Sequence, residues 1–418
     1  MTLIKYEFKK MIHAPVMKIV LPLFFLLNIY SLVFGEHYES YSASQSPLNA
    51  DIQQSQENGA YFKGVIDDEW CNKYALEVQV FRDNPEHHVS EIEKEAIQQN
   101  YRDKGYTEEA IAKMSNFIYI IPSIFKSNAY NRYEPIESLA IPYYDNAKKV
   151  GDEFAEKYLN QYPDEKGMVL AEKTQELYGT LINDDTVQYN YNMGFQKLRD
   201  MHTTYPLSIG IIILIALSPL FATEYSSKTD SLILPTKHGK RKLVYSKIIV
   251  GLLFSVSIWA GIQLTNVLII YGFYGYIGGE SFWQNWLLDY APFLFNQLEI
   301  TVVTVLTSLL GVLFLASAVM MISAISKNGF ISLLLGGMLL LVPLLQFSFT
   351  YNNTVQTLYS FLPTRLLSAI NIWQPFGLVY LFGQAIPIQY IIIFSAIICI
   401  IVLNVLSFCR FKSHQVEN

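Results

Sequence analysis

Six stretches of the chain stay apolar for long enough to cross a bilayer: 16–34, 205–222, 248–273, 300–325, 330–347 and 388–408. A hydrocarbon core about 30 Å thick takes roughly 20 helical residues. Each stretch is predicted to be a helix, because an unpaired backbone group in lipid costs several kcal/mol and a helix pairs its own. The runs at 248–273, 300–325 and 388–408 are clear spans, while 16–34, 205–222 and 330–347 sit near the short limit. The first run also admits a cleaved signal peptide, with a basic start and small residues near Ser42–Ser44. Its length, and Pro22 and Asn28 inside it, read better as a packed helix.

The polar stretches between the runs complete the picture. Residues 36–204 form one long block with helical signals. Ser90-Glu91-Ile92-Glu93 is a capping-box pattern that opens a helix to about Tyr101. Thr107 is a candidate N-cap for a helix to about Phe125. Helices are also expected over Asn146–Leu159 and Glu165–Ile182, separated by Pro163. The Ser/Gln/Asn-rich start, Ser40–Gly59, reads as a loop. The block holds enough Tyr, Phe, Ile and Leu for a core of its own. Segment 348–387 is punctuated by Pro363, Pro375 and Pro387, with short helices expected at Leu358–Leu367 and Phe376–Phe382. It either dips back into the membrane or folds as a compact surface loop. The expected fold is an all-α polytopic membrane protein: six transmembrane helices, with a large, mostly helical extracytoplasmic domain at 36–204 between the first and second.

Basic residues near the span ends set the orientation. Lys5, Lys9 and Lys10 precede the first span. Lys228, Lys237, Lys240, Arg241, Lys242 and Lys247 lie between the second and third, and Arg410 and Lys412 follow the sixth. Segment 274–299 has no Lys or Arg, and 348–387 has only Arg365. This asymmetry predicts a multi-pass protein of the cell membrane with both termini and the tail 409–418 in the cytoplasm. Residues 1–15 place Leu3, Ile4, Phe8, Met11 and Ile12 at helical spacing. They read as an amphipathic helix in the cytoplasmic interface, lysines toward anionic lipid, or more simply as a topogenic charge cluster.

Composition sharpens this reading. The 418 residues are 51% hydrophobic and only 16% charged, against about 25% charged in an ordinary soluble domain. That disfavours a disordered chain, a nucleic-acid binder or an ordinary cytosolic enzyme. The net charge of −6 conceals a division. Residues 36–204 carry 16 Lys and Arg against 29 Asp and Glu, a net −13, and the remainder is net +7. The block's field could favour a cationic peptide, although an acidic face is ordinarily just solvated.

Chemistry is sparse. Three cysteines, Cys71, Cys399 and Cys409, offer no CxxC or Cys/His cluster. His87-His88 has no partner at metal spacing. There is no P-loop: Gly239-Lys240-Arg241 lacks both the first glycine and the Ser/Thr. No nucleophile or zincin motif stands out, so neither a cofactor nor an enzymatic activity is expected. The spans also lack the deep acids or histidines that ion coupling uses. Energy for any transport would have to arrive through the cytoplasmic surface.

The one sizeable cytoplasmic loop, 223–247, carries Glu224, then Asp230-Ser231-Leu232-Ile233-Leu234-Pro235-Thr236, then Gly239-Lys240-Arg241-Lys242 and Lys247. A positive-inside loop accounts for the lysines but not for an apolar Leu-Ile-Leu patch in water, which suits docking on another protein.

This loop, and the start Leu3-Ile4-Lys5-Tyr6-Glu7-Phe8-Lys9-Lys10, resemble ABC-2 type permeases of Gram-positive bacteria. The resemblance covers the six-span layout and stops at the 36–204 block, where many members have only a short link. It implies the transmembrane subunit of an ABC exporter that moves or removes a peptide, drug or lipid-like compound. A separate ATPase subunit would bind the ATP, and a second permease copy or paired permease would complete the pathway. Glu224, Asp230, Leu232, Ile233 and Leu234 would couple to the ATPase. Lys5, Lys9, Lys10, Lys240, Arg241 and Lys242 would anchor to lipid or to the partner. The alternative is a membrane-anchored sensor or binding protein whose external domain detects a ligand without transport.

Overall fold

The computed structural model describes residues 2–44, 48–84, 95, 99, 102–103, 143–182, 188–204, 206–226, 239–283, 292–326, 328–341 and 359–413. The helices expected at 90–101 and 107–125 lie outside the described residues, apart from single helical positions at 95 and 99. Five helical stretches are long and apolar enough to cross a membrane: Met17–Phe34, Leu207–Glu224, Arg241–Tyr274, Gln297–Ser326 and Ile388–Phe411. The chain is thus an all-α multi-pass membrane protein in its described part.

The chain opens with α1 (Thr2–Ile12) and α2 (Met17–Ser44). The polar block supplies α3 (Leu48–Tyr61), β1 (Gly64–Val65), α4 (Asp68–Asp83), α5 (Tyr143–Gln161), α6 (Glu165–Ile182) and β2 (Gln188–Tyr189). The Ser40–Gly59 stretch is therefore largely helical and not the loop expected from its composition. Ile52 explains the difference, since it packs with Leu198 and Ile270 in a buried cluster that polar neighbours alone do not reveal.

Next come α7 (Met193–Thr204), α8 (Pro206–Leu217) and α9 (Pro219–Ser226). Pro219 cannot donate to the helical ladder, so α8 and α9 break between them. Ser323 from a neighbouring helix satisfies the freed groups. Its hydroxyl donates to the Ser218 carbonyl at 2.7 Å and accepts from Phe221 N at 3.1 Å. Then follow α10 (Gly239–Tyr274), α11 (Gln297–Ser326) and α12 (Gly329–Leu341). Helix α12 covers 330–341 of the span expected at 330–347. Residues 342–347 of that run lie outside the described set.

The last part holds α13 (Pro363–Leu367), α14 (Ile370–Trp373), β3 (Leu378–Leu381), β4 (Gln384–Pro387) and α15 (Ile388–Ser413). The helix expected at Phe376–Phe382 is instead half of an antiparallel hairpin, Leu378 facing Pro387 and Leu381 facing Gln384. Its two-residue turn has Phe382 at φ 51° and Gly383 at φ 82°. Two left-handed residues match the twist of paired strands, and this local geometry overrides the apolar run. Segment α13 reaches the middle of α11. A Cβ on Gly311 would stand 2.5 Å from Leu367 N and 2.6 Å from Leu366 C.

The bundle core gathers Ile213, Leu217, Val250, Phe254, Leu315 and Val319. Polar pairs also tie the helices together. Asn28 Nδ2 donates to Asn266 Oδ1 at 2.8 Å, Trp259 Nε1 to Ser308 Oγ at 2.9 Å, and Trp373 Nε1 to Thr307 Oγ1 at 3.0 Å. Such bonds are a main source of helix cohesion where apolar burial gives no advantage over lipid.

The two ends of the bundle differ. One, here the near end, carries α1, the ends of α9 and α10 that flank 227–238, and the last turns of α15, where the Phe411 ring meets Phe221 at a tilt, 5.2 Å between centres. The far end meets the polar block. Strand β1 pairs with β2, and Gln188 O accepts from Phe282 N at 3.0 Å. Tyr191 OH donates to Tyr274 O at 3.0 Å. Arg199 donates to Gln297 at the start of α11. Burial, with Arg199 adding to it, pushes the fully enclosed His202 down to about 3, so its ring stays neutral at physiological pH.

Helix α4 is started by Asp67, whose carboxylate accepts from Trp70 N at 2.7 Å. Cys71 follows one turn later. Burial first, then Asp68 and Asp67, push its thiol from 9.0 up to about 11. The thiolate is the nucleophile, so a two-unit rise cuts its fraction about a hundredfold below pH 9. Maleimide labelling of Cys71 at pH 7 is expected to be far slower in the folded chain than in the unfolded one. In the folded chain it should quicken about tenfold per pH unit up to about 11. Equal rates in the two states would show that the carboxylates and burial do not act on this sulfur.

Candidate functional site

The near end holds a buried ionic cluster drawn from three helices. Its first contributor is α1. Leu3, Ile4, Phe8 and Ile12 pack against the bundle core, and Met11 is buried within it. The Phe8 ring meets Phe254 edge-on at 6.4 Å. The apolar face predicted for residues 1–15 therefore lies on α10 rather than open to lipid. Glu7 sits one turn before Met11 on that same face and is 6% exposed. Lys5 and Lys9 point away and are exposed.

The second contributor is Glu224, near the end of α9 and 5% exposed. The third is Lys247, two turns into α10 and 1% exposed. Lys247 Nζ lies 2.9 Å from Glu224 Oε1 and 3.4 Å from Glu7 Oε2, and donates to the Leu220 carbonyl at 2.9 Å. Lys10 Nζ approaches the same Glu224 oxygen at 3.4 Å from the solvent side. Two ammonium groups thus face two carboxylates. A buried lysine is tolerable only with such pairing, since removing an ion from water costs several kcal/mol.

This cluster joins residues far apart in sequence. Glu7 binds α1 to α10, and Lys247 binds α10 back to α9 across the 227–238 connection. A displacement of that connection would therefore move α1, α9 and α10 together, because shifting one helix alone would strand a buried charge.

The sequence-level candidates divide accordingly. Glu224 and Lys10 come together. Arg241 and Lys242 are exposed at the start of α10. Lys240 is in its opening turn, with its side chain outside the described set, and Asp230, Leu232, Ile233 and Leu234 also lie outside the described residues. Glu7 and Lys247 carry the cluster, yet neither stood out as a site residue in the sequence. The signal was present in Glu7, the one acid of α1, which falls on the apolar stripe with Leu3 and Met11. A charge on the buried face of an amphipathic helix asks for a buried partner.

No protein-family model and no curated protein matches the chain.

Proposed function

We propose that the chain is the membrane-spanning permease subunit of an ATP-driven ABC transporter, exporting or removing a peptide, drug or lipid-like compound. In this reading the near end faces the cytoplasm and a separate ATPase subunit docks on α1 and the 227–238 connection. The observation that carries the proposal is the buried Glu7–Lys247–Glu224 cluster, with Lys10 at its solvent edge. It makes a single mechanical unit of the three helices that the docked subunit would touch.

ATP-driven closure of two ATPase subunits would push on the connection. The ionic cluster would pass that push to α9 and α10, shifting the populations of the permease's arrangements. A second copy, or a related permease, would supply the other half of the pathway. Leu232, Ile233 and Leu234 would form the apolar contact, and Asp230 its polar edge. The exposed Lys5, Lys9, Arg241 and Lys242 would meet lipid phosphates or the partner.

The experiment is co-expression with the candidate ATPase and recovery on the tagged permease. Leu232→Asp with Ile233→Asp is expected to lose the ATPase while the permease still inserts into the membrane. Full retention by the inserted double variant would remove the docking assignment.

A further inference from the structure

A cleft of about 540 Å³ lies between the α5–α6 hairpin and the β3–β4 hairpin, far from the ionic cluster. That volume is typical of small-molecule sites. Its floor is apolar: Ile388 and Ile392, on the first turns of the α15 span, with Phe376 above them. Phe376 meets Phe154 and Tyr178 edge-on, at 5.1 and 5.4 Å between ring centres. The wall is fixed, because Tyr158 OH accepts from Leu378 N at 2.9 Å and so pins α5 to β3.

The cleft is cationic although the block that forms it is acidic. Lys157 and Lys166 line it, and among the described residues no Asp or Glu does. Lys166 Nζ stands 3.4 Å from the centre of the Tyr162 ring, and Lys157 Nζ 5.8 Å from that of Phe154. Neither forms an ion pair among the described residues. Of the nearby acids, Glu153 pairs with Lys149 at 3.9 Å, and Asp164 accepts from Gly167 N at 3.3 Å in capping α6. Glu153 and Glu156 lie with Lys157 along a neighbouring depression on α5.

We propose that this cleft binds an anionic phospholipid from the membrane leaflet on the side of the polar block, with its phosphate between Lys157 and Lys166. The apolar floor continues directly onto a membrane-spanning helix. An acyl chain can therefore lie over Ile388 and Phe376, which are partly exposed, while the phosphate stays at the aromatic, cationic rim. A free phosphate would use the lysines but leave the floor empty, and a cationic peptide would meet two like charges. Binding here goes beyond the transport reading and needs no ATPase, so the two stand or fall separately.

The test is photolabelling of the full chain in nanodiscs with a diazirine-bearing phosphatidylglycerol, against the matching phosphatidylcholine probe. Labelled peptides are mapped by mass spectrometry. The phosphatidylglycerol probe is expected to label 154–170 and 370–392 about tenfold more than the phosphatidylcholine probe. Lys157→Gln with Lys166→Gln should bring it down to the phosphatidylcholine level, while labelling along 397–406 stays unchanged as an internal control for folding and insertion. Equal labelling by the two probes, or full labelling of the double variant, would overturn the proposal. So would loss of the label in millimolar inorganic phosphate, which would assign the lysines to a free anion.

Discussion

Replacing Lys247 with Met is expected to destabilise the folded chain by about 3 kcal/mol. Lys247 is enclosed, 1% exposed, and holds two buried carboxylates at 2.9 and 3.4 Å. Methionine keeps most of the volume, so packing is nearly preserved and the loss is electrostatic. Glu224 would then keep the half-exposed Lys10, and Glu7 would lose the ammonium it faces. Adding Glu7→Gln to Lys247→Met should recover part of the loss, because one stranded charge is removed with its partner.

An internal comparison separates burial from distance. Lys173 and Glu176 are closer, at 2.6 Å, but their side chains are 33% and 59% exposed. Lys173→Met should change stability by less than about 1 kcal/mol. Thermal unfolding of the detergent-solubilised variants, followed by circular dichroism, gives both values. Similar small losses for the two lysines would mean that the near-end cluster is not a mechanical joint.

The second large effect is expected at Gly311. A side chain there would press on the backbone of Leu366 and Leu367, not on a flexible side-chain tip. Backbone cannot rotate away, so α13 must move off α11. The Thr364 hydroxyl bond to the Leu340 carbonyl, 3.2 Å, would stretch with it, as would the Trp373–Thr307 bond. Gly311→Leu should cost roughly 3 kcal/mol, the upper part of the range for overpacking. Gly337 provides the control, since a Cβ there meets nothing within 4 Å among the described residues. Gly337→Ala should be neutral or slightly stabilising through better helix propensity. A harmless Gly311→Leu would show that 363–373 does not pack at that depth.

These two sites also show what the sequence discloses and what it withholds. Glu165–Ile182 was legible to the residue, because Pro163 and the periodic apolar positions mark its ends. The long spans were legible from hydropathy alone. The β3–β4 hairpin was not, since Phe382 adopts a left-handed turn that apolar composition hides. The helical character of 48–61 depends on Ile52 finding partners on α7 and α10, a tertiary fact. The ionic cluster was half visible. Glu224 and Lys10 were marked by their places beside spans. The partnership of Glu7 with Lys247 spans 240 positions and needs the fold. Gly311 looked like any small residue in a span until α13 was seen against it.

The central claim is that a different polypeptide supplies the work at the end of the bundle bearing α1. Its most direct test is purification of the intact chain from its native membranes by a C-terminal tag, followed by identification of co-eluting proteins and an ATP-hydrolysis assay. The account predicts a stoichiometric P-loop ATPase in the eluate, with hydrolysis that disappears when that subunit is stripped away. A chain that elutes without any ATPase, yet drives uphill movement of a compound after reconstitution by itself, would contradict it.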